Sequence, residues 1–211
     1  MIHELRRTLK HRLGLPLPGL EAQVRMAHIE RQINLSRYQT PAHAKPSSVL
    51  ILLYENEGRI KLPLILRPGD SGIHSGQISF PGGKFEEGDK NLSETALRET
   101  QEEIGISSSS IEIIGRLTQL YIPPSNFLVS PYVGVLTSVP VFIPEEKEVV
   151  KVIPLDLEFL MDEERVKEKE IRLRNGQSIR TPYYNVEGEI VWGATAMILS
   201  ELKSLLYEIG W

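Results

Sequence analysis

Apolar residues recur at helical spacing through Ile2, Leu5, Leu9 and Leu13, and Arg6, Arg7, Lys10 and Arg12 fill the opposite side. This predicts an amphipathic helix, which Pro16, Pro18 and Gly19 bring to an end. Its basic side suits an anionic surface, a phosphate contact or plain solvent. A second helix is expected over residues 21–33. The polar, proline-containing stretch 40–48 then changes the pattern. Val49-Leu50-Ile51-Leu52-Leu53 is an unbroken apolar run, short enough for a buried strand over 48–55. Glu57-Gly58 forms a turn, and 62–67 is the partner strand. After a glycine-rich loop over 67–75, Gln77-Ile78-Ser79-Phe80 alternates as a strand. Residues 111–120 and 128–136 alternate likewise. Between them, Tyr121-Ile122-Pro123-Pro124-Ser125-Asn126-Phe127 suits either a stiff loop over a ligand or a packed turn. A strand over 149–153, a helix over 155–161, a hairpin turning at Asn175-Gly176 and a final helix over 194–209 complete the pattern. Strands and helices interleave, which predicts an α/β fold. The 40–48 connection divides it into an N-terminal helical extension, 1–44, packed on a core domain, 45–211.

The stretch 82–106 carries the chemistry. Asn91 suits an N-cap with Glu94 in the capping-box position, and Gly105 fits the helix stop. Within that short helix, Glu99, Glu102 and Glu103 project to one side at about 100° per residue. Three like charges so close cost a few tenths of a kcal/mol per pair. A cation among them removes that cost, and hard oxygen ligands suit Mg²⁺ or Mn²⁺. A glutamate-rich helix face is often merely solvated. Here it follows a strand and the Gly82-Gly83 pair, whose lack of side chains lets the backbone turn sharply and approach a ligand.

Gly83, Arg98, Glu99, Glu102, Glu103, Gly105 and Ile106 resemble the signature of the Nudix hydrolases, G-x5-E-x7-R-E-U-x-E-E-x-G-U with U a bulky aliphatic. The loop before Arg98 is one residue longer than the pattern. Asp89 stands at the first glutamate when counted from Gly83, Lys90 when counted from Arg98, and Thr100 takes an aliphatic position. The resemblance implies a Nudix-type α/β/α sandwich with a mixed central sheet. It implies that Glu99, Glu102 and Glu103 are metal ligands and that Arg98 orients the carboxylates. Leu66-Arg67 and His74 to Gly83, together with Val191-Trp192-Gly193-Ala194-Thr195-Ala196, resemble the coenzyme A pyrophosphatase branch, although Gly72 stands where that branch has a second arginine. The expected activity is metal-dependent cleavage of the diphosphate of coenzyme A or a derivative. The alternatives are the same chemistry on ADP-ribose or NADH, and a non-catalytic nucleotide sensor.

A diphosphate hydrolase needs a proton acceptor and phosphate contacts. Glu102 and Glu103 can accept a proton from the helix. The later acidic turn Glu145-Glu146-Lys147-Glu148 offers another carboxylate, as such loops commonly do in the family; Glu146 is the first choice and Glu148 the second. Arg67, His74, Gly82, Gly83 and Lys84 are the candidate substrate contacts, arginine for its bidentate bonds to phosphate. His74 can donate or pack, Lys84 can contact phosphate or water, and Trp192 can belong to the core or stack on adenine.

Composition narrows the partners. The 211 residues suffice for one domain with a substantial core. A net charge of −4 does not favour nucleic acid. With 0 cysteines, disulfides, thiol nucleophiles and cysteine–zinc sites are excluded. The charged first residues do not resemble a signal peptide, and no apolar run suits a membrane span. The expectation is a cytoplasmic protein with a small-molecule nucleoside diphosphate substrate and no nucleic-acid or membrane partner; a homodimer is left open.

Overall fold

The computed structural model describes residues 1–34, 39–69, 76–173 and 176–211. Its helices are α1 (Ile2–Leu13), α2 (Gly19–Val24), α3 (Ile29–Ile33), α4 (Leu92–Ile104), α5 (Leu157–Met161) and α6 (Gly193–Glu208). Its strands are β1 (Lys45–Asn56), β2 (Arg59–Leu66), β3 (Ile78–Ser79), β4 (Gly82–Lys84), β5 (Glu112–Arg116), β6 (Leu120–Ile122), β7 (Phe127–Leu136), β8 (Lys151–Asp156), β9 (Val166–Arg172), β10 (Ser178–Val186) and β11 (Glu189–Val191).

β1 is the spine. It runs parallel to β7 from Lys45↔Phe127 to Tyr54↔Leu136 and antiparallel to β2 at its far end, Tyr54↔Lys61. β4 pairs with its near end, Ser47↔Lys84. Around this spine an 8-stranded mixed sheet forms, with β3 and β8 on β2 and with β5 and β6 on β7. β9, β10 and β11 make a separate antiparallel sheet.

The continuous apolar run of β1 has a physical reason. Leu50, Leu52 and Tyr54 face one way and pack with Ala96 and Ile104 of α4. Ile51 and Leu53 face the other way, into a cluster with Leu5 and Leu9 of α1, Leu157 and Leu160 of α5, and Leu199 and Leu202 of α6. Both faces are covered, so neither can be polar. The result is the expected α/β/α sandwich with a mixed sheet.

The residues before β1 are tied to this core. The basic side of α1 meets carboxylates: Arg6 and Lys10 each lie 2.8 Å from Glu112, and Arg12 pairs with Glu208. On α6 the fully buried Glu201 carboxylate accepts from Gln23 Nε2 at 2.8 Å and from the Gly19 N–H at 3.1 Å. These bonds anchor α2.

Two local expectations change and one alternative is decided. The helix expected over 21–33 is two short helices, because Met26 and Ala27 turn into the core and the His28 imidazole caps α3. The strand expected over 111–120 divides into β5 and β6, with a register shift between Ile113 and Gly115. The proline-rich stretch that follows is a packed turn: Ile122 pairs with Phe127, and Asn126 takes a left-handed φ of 55°. β11 was not anticipated. The Asn175 half of the expected hairpin turn lies outside the described residues, though β9 and β10 pair as expected. Among the described residues, no helix is long and apolar enough to cross a membrane.

Candidate active site

The site forms where α4 leaves the sheet. Asn91 Oδ1 caps α4, accepting from the N–H groups of Ser93 at 3.0 Å and Glu94 at 3.1 Å. The Glu94 carboxylate reaches back to the N–H of Lys90 at 3.0 Å, one residue short of the expected capping-box partner. Gly105 ends the helix in the left-handed region, φ 74°. Two glycines are required at the loop before it. Gly82 has φ 148°, and a Cβ there would stand 2.3 Å from the Ser48 carbonyl oxygen. A Cβ on Gly83 would stand 2.4 Å from the Glu99 carboxylate. β4 therefore lies flush against the acidic face of α4.

Carboxylate oxygens of Glu99, Glu103 and Glu148 lie within 4.8 Å of one another. Two hydrogen bonds bring Glu148 there. The N–H groups of Ile143 and Glu145 donate to the carbonyls of Ile104 and Glu103, both at 3.0 Å, and extend α4 into the acidic turn. The turn then closes through the N–H groups of Glu148 and Val149 onto the Glu145 carbonyl, at 2.9 and 2.8 Å. Val149 is buried among the residues packed on α4 and fixes the turn. Glu146 is exposed and does not join the cluster. The turn closed at Glu145 places positions 145, 148 and 149 together and leaves 146 outside, which a count along the sequence misses.

Glu102 is also outside the cluster. Its side chain is 56% exposed and lies 2.9 Å from Arg98 Nη1, one turn back along α4. Arg98 is the hub of the corner. Its Nε and Nη2 donate to the two oxygens of Asp89 at 2.9 and 3.1 Å, Nη1 donates to Glu99 at 3.0 Å, and Nη2 to the Lys84 carbonyl at 3.2 Å. The bonds from Arg98, aided by Thr95 and the Glu86 N–H, hold the Asp89 carboxyl well below the usual carboxylate range. Asp89 rather than Lys90 therefore fills the place of the first signature glutamate. The Lys84 side chain is exposed. His74 lies outside the described residues.

Arg67 is placed differently from the expected phosphate contact. Its Nε donates to Ser79 Oγ at 3.1 Å and its Nη2 to the Gly82 carbonyl at 2.8 Å. The same Nη2 stands 2.8 Å from Glu103 Oε1. The guanidinium is thus spent on the protein's own loop and on the Glu103 carboxylate. Glu103 is 1% exposed, and the Gly82 N–H donates to its Oε2 at 2.8 Å. Its Oε1 has the Arg67 charge nearby but no aligned hydrogen bond. A buried carboxylate oxygen without an aligned donor, beside two further carboxylates, fits a hard divalent cation.

Burial pushes the Glu103 carboxyl up to about 7, and the charge of Glu99 adds to this; Arg67 and the Gly82 N–H pull it back. Burial also raises Glu99, against the pull of Arg98. A cation must displace the Glu103 proton, so cation binding should be linked to pH. The expected result is that the Kd for Mn²⁺ rises about tenfold per pH unit below 7 and levels off above 8. Calorimetric titration in two buffers of different ionisation enthalpy checks the proton release.

The family model for the NUDIX domain matches residues 44–176. The chain belongs to the Nudix family. As a Nudix hydrolase it is an enzyme of the pyrophosphatase class. It is 31% identical over 173 residues to an uncharacterized Nudix hydrolase, NudL, of Pectobacterium atrosepticum, a match covering 81% of this chain and 88% of that one. It is 35% identical over 173 residues to the mitochondrial Nudix hydrolase 15 of Arabidopsis thaliana, covering 78% of this chain but only 59% of that relative's length. The fold matches a Nudix hydrolase of M. smegmatis, RenU, with a TM-score of 0.56 at 11% identity, over 80% of this chain and 89% of that one.

Proposed function

We propose that this Nudix hydrolase cleaves the diphosphate of coenzyme A or a derivative, giving 4′-phosphopantetheine and adenosine 3′,5′-bisphosphate. The observation that supports this reading is the meeting of the two branch-like segments. Thr195 Oγ1, at the start of α6, donates to the Ile78 carbonyl of β3 at 2.9 Å, in a buried bond. Segments 117 residues apart in the chain thereby form one wall beside the acidic corner.

Glu99, Glu103 and Glu148 hold Mg²⁺ or Mn²⁺ in this reading, with Glu102 kept in reserve by Arg98. The ion supplies charge neutralisation at the phosphate oxygens and a more acidic water. Glu148 is the most exposed of the three, and in this reading it would take the proton of the attacking water. Arg98 and Arg67 orient Glu99 and Glu103. A nucleotide sensor would have no use for three converging carboxylates, so catalysis is the better reading.

The test compares kcat/KM for coenzyme A, ADP-ribose and NADH under one metal condition, with products read by mass. Coenzyme A should be the best substrate. A preference of more than about tenfold for ADP-ribose or NADH, about 1.4 kcal/mol of discrimination, would replace this reading with its runner-up.

A further inference from the structure

Ser48 stands where β1 carries the loop of the acidic corner. The β1–β4 register sets Ser48 opposite Gly83 and Val49 opposite Gly82. This ladder is short and sparsely bonded. On one side of the Ser48–Gly83 pair, the Leu50 N–H donates to the Pro81 carbonyl at 2.9 Å; on the other, the Phe85 N–H donates to the Pro46 carbonyl at 3.1 Å. Pro81 and Pro46 have no N–H to return a bond, so each flanking pair is held by one bond where an antiparallel ladder offers two. Two carboxylates of the cluster nevertheless depend on where β4 stands. Glu99 lies against Gly83, and Glu103 accepts from the Gly82 N–H at 2.8 Å.

The Ser48 side chain is held from the far side of the sheet. Partners across a ladder share a face, so Gly83, Ser48 and Ser130 form one row over β4, β1 and β7. That row lies on the face of Leu50, which packs against α4. Ser48 Oγ donates to the Ser130 carbonyl at 2.9 Å, and Gln119 Nε2 donates to Ser130 Oγ at 2.9 Å. Both serines are fully buried. Gln119 projects from the break between β5 and β6, and Glu201 of α6 pins that break. The Thr118 N–H donates to both oxygens of the Glu201 carboxylate at 3.3 Å, and Gln23 Nε2 bridges Glu201 and the Thr118 carbonyl at 2.8 and 2.9 Å. A run of hydrogen bonds thus leads from α2 and α6 through the sheet to the strand that carries Gly82 and Gly83.

A buried hydroxyl costs free energy that a small apolar side chain would not, unless it is bonded. What a bonded one adds is a fixed place, because no water can substitute for its partner. We propose that Ser48 is a positioning residue of the acidic corner: its hydroxyl, held by the Ser130–Gln119 pair, fixes the height of β4 at which Gly83 meets Glu99 and the Gly82 N–H meets Glu103. The effect on a cation rests on the proposed function; the effect on β4 does not.

The experiment uses the full chain and its Ser48→Ala, Gln119→Ala and Ser47→Ala variants. Ser47 is the control, since its hydroxyl lies on the opposite face of β1, 3.5 Å from the Leu128 carbonyl. Amide hydrogen exchange is followed by NMR without metal. The Gly82 amide should exchange at least ~10-fold faster in Ser48→Ala and about 3-fold faster in Gln119→Ala, while the Leu202 amide within α6 stays within ~2-fold of the parent. Ser47→Ala should change neither. In calorimetric titration the Kd for Mn²⁺ should rise at least ~5-fold in Ser48→Ala and stay unchanged in Ser47→Ala, and at saturating Mn²⁺ the loss in turnover should fall on kcat, with KM within ~2-fold. An unchanged Gly82 rate would overturn the proposal. Equal acceleration of Gly82 and Leu202 would overturn it too, because that is global destabilisation. So would an unchanged Mn²⁺ affinity in Ser48→Ala beside a parent that binds Mn²⁺. If the parent binds no Mn²⁺, the cation reading fails and the exchange rates alone decide the role of Ser48. Should Ser48→Ala not fold, Gln119→Ala carries the same test, because Gln119 is exposed.

Discussion

Replacing Glu103 with glutamine should lower kcat by at least ~10²-fold while the protein stays folded. The carboxylate is the buried member of the three-glutamate cluster, and its loss removes a negative charge from the proposed cation site. Glutamine keeps the volume, and its amide oxygen can still accept from the Gly82 N–H. The partner left behind is Arg67, which is 25% exposed and can be hydrated. The neighbouring glutamates separate structure from arithmetic along the chain. Glu148→Gln should also lose kcat heavily, whereas Glu146→Gln should behave as the parent because Glu146 is exposed and outside the cluster. Glu102→Gln should fall between them, since its carboxylate touches the site only through Arg98. Single-turnover rates under saturating Mg²⁺ measure all four. Unchanged turnover in Glu103→Gln would remove the metal-site assignment, and a crippled Glu146→Gln with a normal Glu148→Gln would mean that the acidic turn is placed wrongly.

The parts of this fold that were legible in the sequence share one property: local chemistry decides them. β1 was legible because both its faces are buried, and α4 because Asn91 and Gly105 mark its ends. The Gly82-Gly83 pair was legible as a close approach, but the sequence did not say what approaches. The structure shows the Val49 backbone under Gly82 and the Glu99 carboxylate under Gly83. Features decided by long-range contacts were not legible. The choice between Glu146 and Glu148 depends on the Glu145 N–H meeting the Glu103 carbonyl, a contact between distant segments. The counting ambiguity between Asp89 and Lys90 is resolved only by the side-chain bonds of Arg98. Arg67 looked like a phosphate ligand because arginine commonly is one. Its actual partners, Ser79, Gly82 and Glu103, come together only when β3, β4 and α4 meet.

That placement of Arg67 carries the second large expected effect. Arg67→Ala leaves Glu103 buried without its cation, and breaking one side of such a pair typically costs about 3–5 kcal/mol. The lower end applies here, because Arg67 is partly exposed and the Gly82 N–H still holds Oε2. The loss should depend on pH in a definite direction. The folded Glu103 carboxyl already sits up at about 7, above its ordinary 4.5, and losing Arg67 raises it further. A group raised in this way stabilises the fold fully below its unfolded value, and that contribution is lost as pH rises through the folded value. The Arg67→Ala protein should therefore match the parent most closely at pH 5, where Glu103 is protonated in both, and fall behind as pH rises to 8. Divalent cations replace the missing charge, so Mn²⁺ should restore part of the stability at pH 8. Urea unfolding at pH 5 and 8, with and without Mn²⁺, provides the measurement. A stability loss independent of both pH and Mn²⁺ would show that Arg67 serves Ser79 and the Gly82 carbonyl rather than Glu103.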